Sequence, residues 1–343
     1  MQTVIVTAMT MTMNSTLRVL AASLVLAAPF GLAGCSGDEK PAASPPTSGA
    51  AGACPTTPVA VVVSVDQWGD IVSELGGECA KVTTVLASSS VDPHDYEPSP
   101  SDAATFKGAQ MVVINGGHYD EWASKLASTS APNAPVVNAI EVSGVEGQDH
   151  GAEAQGQDGG GDGHEGEGNP HAWYSPTAVT AVADAVTAEF KKLAPDGASY
   201  FDQRRGDLTK TLKPYDDLVA SIKAKASGKT YAATESVFDY MAAAVGLVNK
   251  TPEGYQLASA NETDPSPADL DAFLQLLKGR GVDVLIYNTQ TEGSVPQQIR
   301  TAAEQGGVPV VEVTETVPPG VTSFETWQVN QLTALAKALG VPA

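Results

Sequence analysis

The chain has 343 residues, with 40 acidic side chains against 19 basic ones. That balance argues against a nucleic-acid binder, which needs a basic surface to replace phosphate counterions, and it suits a protein that concentrates cations near its surface. The length and an ordinary apolar content leave room for one large or two medium globular domains.

At the N-terminus, Arg18 precedes an apolar run from Val19 to Leu32. The run is short for a membrane span and matches the apolar core of an export signal. It ends in Leu32-Ala33-Gly34-Cys35, two small residues and then a cysteine, the pattern of a bacterial lipobox. Residues 1–35 are therefore expected to be a lipoprotein signal with its lipobox, cut just before Cys35, which becomes the lipid-modified N-terminus. Residues 36–53, rich in Ala, Ser, Gly and Pro, read as a flexible tether. With Cys35 assigned, Cys54 and Cys79 form a natural pair in an oxidising compartment. Each lies just before a β-run, so neighbouring parallel strands bring both to one end of a sheet, where a disulfide fits.

The folded body alternates β-branched runs with helical stretches. Strands are expected over Val59–Val65, Val82–Leu86, Met111–Asn115 and Val136–Asn138, with helices over Trp68–Leu75, Ser101–Lys107 and Glu121–Ser128 between them. Such alternation predicts a parallel sheet flanked by helices. From Glu141 to Gly168 the chain turns to Gly, Asp, Glu and Gln, and no Lys or Arg occurs between Lys125 and Lys191. That composition predicts a mobile acidic loop. A helix follows over Thr177–Leu193, and a long one over Ser199–Ala226 with a bend at Pro214. A second α/β block has strands at Thr230–Thr234, Val282–Tyr287 and Val308–Val313. Its helices are expected at Val237–Val245, Ser266–Lys278, Val295–Glu304 and Glu325–Leu339. The expected architecture is α/β with two lobes, each a parallel-rich sheet flanked by helices, joined by one long helix. In residues this gives an N-terminal lobe at 54–195 (with the acidic loop at 141–168), a linking helix at 196–227 and a C-terminal lobe at 228–343.

Two of the five histidines follow a proline just beyond an expected strand or just before a helix. His94 lies in Asp92-Pro93-His94-Asp95-Tyr96-Glu97-Pro98-Ser99-Pro100, and His171 in Asn169-Pro170-His171-Ala172-Trp173. Prolines stiffen both loops, ligands of open α/β sheets gather at the carboxyl ends of strands, and imidazole binds zinc and also manganese. His118, His150 and His164 read as solvated, and Trp122 and Trp173 as packing residues.

These two motifs, with Asn115-Gly116-Gly117-His118-Tyr119-Asp120-Glu121-Trp122, resemble the zinc- and manganese-specific substrate-binding lipoproteins of bacterial ABC importers, the TroA-like family. The resemblance covers Val59 to Leu339. It implies a metal site in the cleft between the lobes, with His94 and His171 as ligands from the first. It implies a third ligand after a strand of the second lobe, where this chain has Glu235 in Thr234-Glu235-Ser236-Val237-Phe238. The fourth is a carboxylate after the last strand, usually Asp; here it is Glu315, with Glu312 as the alternative. Two imidazoles and two carboxylates are a harder set than three imidazoles and lean toward manganese, whereas an acidic loop is a habit of zinc-handling members.

The resemblance implies an extracytoplasmic solute-binding protein, not an enzyme. It would capture Zn2+ or Mn2+ and deliver it as a monomer to an importer's permease and ATPase, anchored to the cell membrane through Cys35. Competing readings are a surface adhesin or scaffold with a structural metal, and a metallohydrolase. The second would need an open coordination position and a general base, and no H-E-x-x-H pair is present.

Overall fold

The computed structural model describes residues 53–87, 96–145, 168–261, 263–291 and 293–342. The signal segment with Cys35, nearly all of the tether, His94, and His150 and His164 of the acidic loop lie outside the described residues.

The first lobe runs β1 (Val59–Val65), α1 (Asp66–Gly76), β2 (Ala80–Leu86), α2 (Pro100–Phe106), β3 (Met111–Ile114), α3 (Glu121–Ser130), β4 (Val136–Asn138) and α4 (Ala139–Ser143). Its sheet has the order β2-β1-β3-β4, with every pair parallel. β1 and β3 are nearly continuous runs of Val, Ile and Met, buried on both faces, as central strands between two helical layers require. β2 alternates exposed and partly buried residues, as an edge strand does. On α1, Trp68, Ile71, Val72 and Leu75 recur at helical spacing and are buried. Cys54 and Cys79 are joined in a disulfide that pins the start of the body to the turn between α1 and β2.

The chain then passes through α5 (Pro176–Leu193), α6 (Ala198–Thr211) and α7 (Lys213–Ala226). The expected bend is present: α6 and α7 meet at Leu212, because Pro214 has no N–H to offer the preceding turn. α6 packs on α1 and α5, while α7 packs on the last helix of the second lobe, so the pair bridges the two halves.

The second lobe comprises β5 (Thr230–Ala233), α8 (Asp239–Ala244), β6 (Val248–Asn249), α9 (Glu253–Ala260), α10 (Pro267–Lys278), β7 (Val284–Asn288), α11 (Ser294–Gly306), β8 (Val310–Val313) and α12 (Phe324–Ala338). Its sheet is again wholly parallel, ordered β6-β5-β7-β8. The sequence reading missed β6, α9 and α4, whose residues Glu141–Ser143 it gave to the acidic loop. β6 has only two residues, and α9 opens after Pro252 with only Tyr255 buried.

One apolar core is continuous across both lobes. Its centre is aromatic: Tyr174 stacks edgewise on Phe238 at 5.1 Å and on Trp327 at 5.8 Å, and Phe324 meets Trp327 at 6.0 Å. A second core fills the outer side of the C-terminal sheet around Phe273, Leu277, Leu285 and Ile299. The lobes are therefore welded by buried rings rather than joined by a free hinge, and the carboxyl ends of their strands are held in place.

Candidate metal centre

His171 sits just before a single 3-10 turn, Ala172–Tyr174, and its side chain is almost wholly buried. The turn is held by what precedes it. Asn115 Nδ2 donates to the Pro170 carbonyl at 2.8 Å, Tyr240 Oη donates to the Asn169 carbonyl at 2.8 Å, and Asn169 Nδ2 donates to the Ser236 carbonyl at 2.8 Å. That last bond fixes which end of the Asn169 amide is oxygen. The oxygen accepts both the His171 backbone N–H at 3.0 Å and the ring at Nδ1, 2.7 Å away. Because a carbonyl oxygen only accepts, Nδ1 carries the hydrogen, and Nε2 is the ring nitrogen turned toward Glu315. Orienting a ligating imidazole through its other nitrogen in this way is the usual outer support of a metal site. Trp173, at 5.3 Å, and Tyr119, at 6.2 Å, wall the ring edgewise.

His171 Nε2 points at a carboxylate of the other lobe: Glu315 Oε1 is 3.7 Å away. Glu315 lies two residues beyond β8. Gln67 Nε2 donates to its carbonyl at 3.1 Å, and Gln290 Oε1 accepts its backbone N–H at 2.6 Å. Tyr119, fully buried, accepts from Gln67 Nε2 at 2.8 Å and hydrogen-bonds the Glu315 carboxylate; burial first, and then that carboxylate, push its phenol well above the ordinary range.

Glu235 lies two residues beyond β5, at the carboxyl end of the same sheet. Asn288 Nδ2 donates to its Oε2 at 2.6 Å, and the Thr291 hydroxyl donates to its Oε1. Burial raises the Glu235 carboxyl above its ordinary pKa; the two donors and His171 pull it down, and Glu315 pushes it up. Glu235 thus feels both Glu315 and His171 electrostatically. Burying two carboxylates beside an imidazole is costly unless a cation compensates them.

Among the described residues, no group of three His, Cys, Asp or Glu side chains closes around a single ion-sized point. The expected fourth member, His94, lies outside the described residues. Glu312, the alternative to Glu315, is turned away: its side chain is half exposed and pairs with Arg300 Nη1 at 2.7 Å. His118 is exposed and paired with Glu121 at 2.7 Å, and Trp122 and Trp173 are buried packing residues, as the sequence reading held. The sequence reading missed Asn169, Gln67, Tyr119, Asn288, Gln290 and Thr291 as supports. Asn169 and Tyr119 belong to motifs already in view, but the other four are linked to the centre only through partners far away in sequence.

The profile of the family described as zinc-uptake complex component A, periplasmic, matches residues 61–338. The chain belongs to that family. Within it, the high-affinity zinc uptake system protein ZnuA of Bacillus subtilis (strain 168) is 28% identical over 205 residues, covering 59% of this chain and 62% of that protein. The manganese-binding lipoprotein MntA of Halalkalibacterium halodurans is 24% identical over 254 residues, covering 73% of this chain and 76% of that one. Among solved structures, a periplasmic metal binding protein from Candidatus Liberibacter asiaticus superposes with a TM-score of 0.63 at 17% identity, covering 82% of this chain and 99% of its own; that likeness concerns the fold. The chain spans about three-fifths of the Bacillus relative's length.

Proposed function

We propose that this protein captures Zn2+ or Mn2+ outside the cytoplasm and hands it to an ABC importer, its permease and ATPase, while tethered to the membrane through a lipid on Cys35. The ion sits between the lobes on His94, His171, Glu235 and Glu315. The observation that carries the reading is the convergence of His171 Nε2, its tautomer fixed by Asn169, on a buried carboxylate from the opposite lobe. Membership of an uptake-complex family supports transport, and relatives named for zinc and for manganese support both ions. Such a component binds and releases its ligand without transforming it.

Both ions suit the donors. Imidazole and carboxylate serve zinc, carboxylate oxygens serve manganese, and the general affinity order favours zinc at equal availability. Because the ligands come from both lobes, an ion ties the halves together and stabilises the fold by mass action, about 4 kcal/mol at a thousandfold excess over its dissociation constant. The test is elemental analysis and competitive titration of the body starting near Cys54. The reading requires one tightly bound ion per chain, lost in His171→Ala and in Glu315→Ala. Stoichiometric tight binding retained by both variants would overturn it.

A further inference from the structure

The four-residue turn that leaves β7, Asn288-Thr289-Gln290-Thr291, touches the carboxylate of Glu235 and the backbone of Glu315 at once. Asn288 Nδ2 and the Thr291 hydroxyl each hold one oxygen of Glu235. Gln290 Oε1 accepts the backbone N–H groups of Glu315, at 2.6 Å, and Thr316, at 2.9 Å, while its Nε2 donates to Thr316 Oγ1 at 2.7 Å. The turn is itself closed, because Gln290 N donates to Asn288 Oδ1 at 3.1 Å and Thr289 N donates to the Val313 carbonyl at 3.0 Å. Two segments that meet only through the fold, 235 and 315–316, are thus fastened to one short template.

We propose that this turn is the positioning and selectivity element of the metal centre, holding Glu235 and Glu315 in one fixed relation and favouring the harder ion. A carboxylate has about four lone-pair sites. One donor on each Glu235 oxygen uses two of them and leaves one on each oxygen for an ion, so both oxygens stay available at a fixed angle. An oxygen-rich, higher-coordinate ion such as manganese gains from two presented oxygens, whereas tetrahedral zinc is content with one and draws more of its affinity from imidazole. Freeing the Glu235 carboxylate therefore costs manganese more than zinc. Outer supports of this kind are worth 10- to 100-fold in metal affinity, roughly. The proposal rests on Glu235 being a ligand.

The experiment measures zinc and manganese dissociation constants for wild type, Thr291→Val, Thr291→Ser, Asn288→Ala and Glu235→Ala, and for Thr291→Val combined with Glu235→Ala. Zinc chloride and manganese chloride are the probes, and metal-free thermal melts report folding. Thr291→Val keeps the shape of the side chain and removes only the hydroxyl. It should weaken manganese by about 10- to 100-fold and zinc by distinctly less. Thr291→Ser should restore the wild-type ratio, and Thr291→Val should add nothing once Glu235 is gone. Asn288→Ala should shift the ratio in the same direction; if this buried change prevents folding, the threonine series decides alone. Glu235→Ala that weakens binding while Thr291→Val leaves both constants unchanged removes the positioning role and keeps the ligand. Glu235→Ala without effect removes the ligand reading, and this inference with it. Equal losses for the two ions in Thr291→Val would refute the selectivity.

Discussion

Replacing Asn169 by alanine tests how the histidine is aimed. The Asn169 side chain makes three described bonds: it accepts His171 N–H at 3.0 Å and Nδ1–H at 2.7 Å, and donates to the Ser236 carbonyl at 2.8 Å. Alanine removes all three and frees the imidazole to rotate or to change tautomer. Loss of such an outer partner costs roughly 10- to 100-fold in affinity, or about 1.4–2.7 kcal/mol. The fold should lose less, about 1–2 kcal/mol, because water reaches this half-buried loop and replaces part of what is lost. Asn169→Asp is the informative companion. It keeps an acceptor for Nδ1–H and makes the imidazole a stronger donor, but it gives up the bond to Ser236. Its affinity should therefore fall between those of wild type and Asn169→Ala. Competitive titration with a chromophoric chelator gives the constants, and circular dichroism of the metal-free proteins shows whether they are folded. A folded Asn169→Ala with wild-type affinity would show that Asn169 does not aim the ring, and His171→Ala measured alongside would show whether the ring matters at all.

Three further outcomes follow from the same structure. Removing the Cys54–Cys79 disulfide by a double Cys→Ser change should cost ~3 kcal/mol of unfolding free energy by loop-closure entropy over its separation of 25 residues, with metal affinity unchanged; urea melts showing no loss would contradict this. Burial raises the Asp66 carboxyl from 3.8 to about 6, and its Oδ1 has no hydrogen-bond partner among the described residues. Between those values the folded chain keeps a proton that the unfolded chain releases, so stability falls as pH rises through the window and the cost is complete above it. Asp66→Asn should accordingly stabilise the protein at neutral pH, on the order of 1–2 kcal/mol, and hardly at all below about pH 4; a variant weaker than wild type at pH 7 would show that the charge is compensated. Gly116 has φ +81°, and a Cβ there would lie 2.1 Å from Asn138 Oδ1, so Gly116→Ala should destabilise by roughly 1–3 kcal/mol; an unchanged denaturation midpoint would contradict the clash.

Much of the fold was legible because the signals were local. The Val-rich β1 and β3 could only be central strands, and the Pro214 bend follows from one missing N–H. β6 and α9 escaped because one has two residues and the other buries little, so neither imposes a period. At the centre, His171 was readable from its loop. Glu235 and Glu315 came only through family resemblance, since a carboxylate after a strand has no pattern of its own. What the sequence could not show is the support around them. Thr291 reaches Glu235 across 56 positions, and Gln67 reaches Glu315 across 248. Such pairs exist only once two sheets have been folded against each other. Between Glu312 and Glu315, side-chain direction favours Glu315: Arg300 holds Glu312 on a half-exposed face of β8, whereas Glu315, beyond the strand, turns its carboxylate toward His171.

One ion is proposed to sit between the lobes on His94, His171, Glu235 and Glu315. Anomalous diffraction from crystals of the metal-loaded protein, collected at the zinc and manganese edges, tests it most directly. A single strong peak is expected within about 2.0–2.3 Å of His171 Nε2 and of oxygens from Glu315 and Glu235, with His94 completing the set. A peak elsewhere, or a bound ion that touches only one lobe, would contradict it.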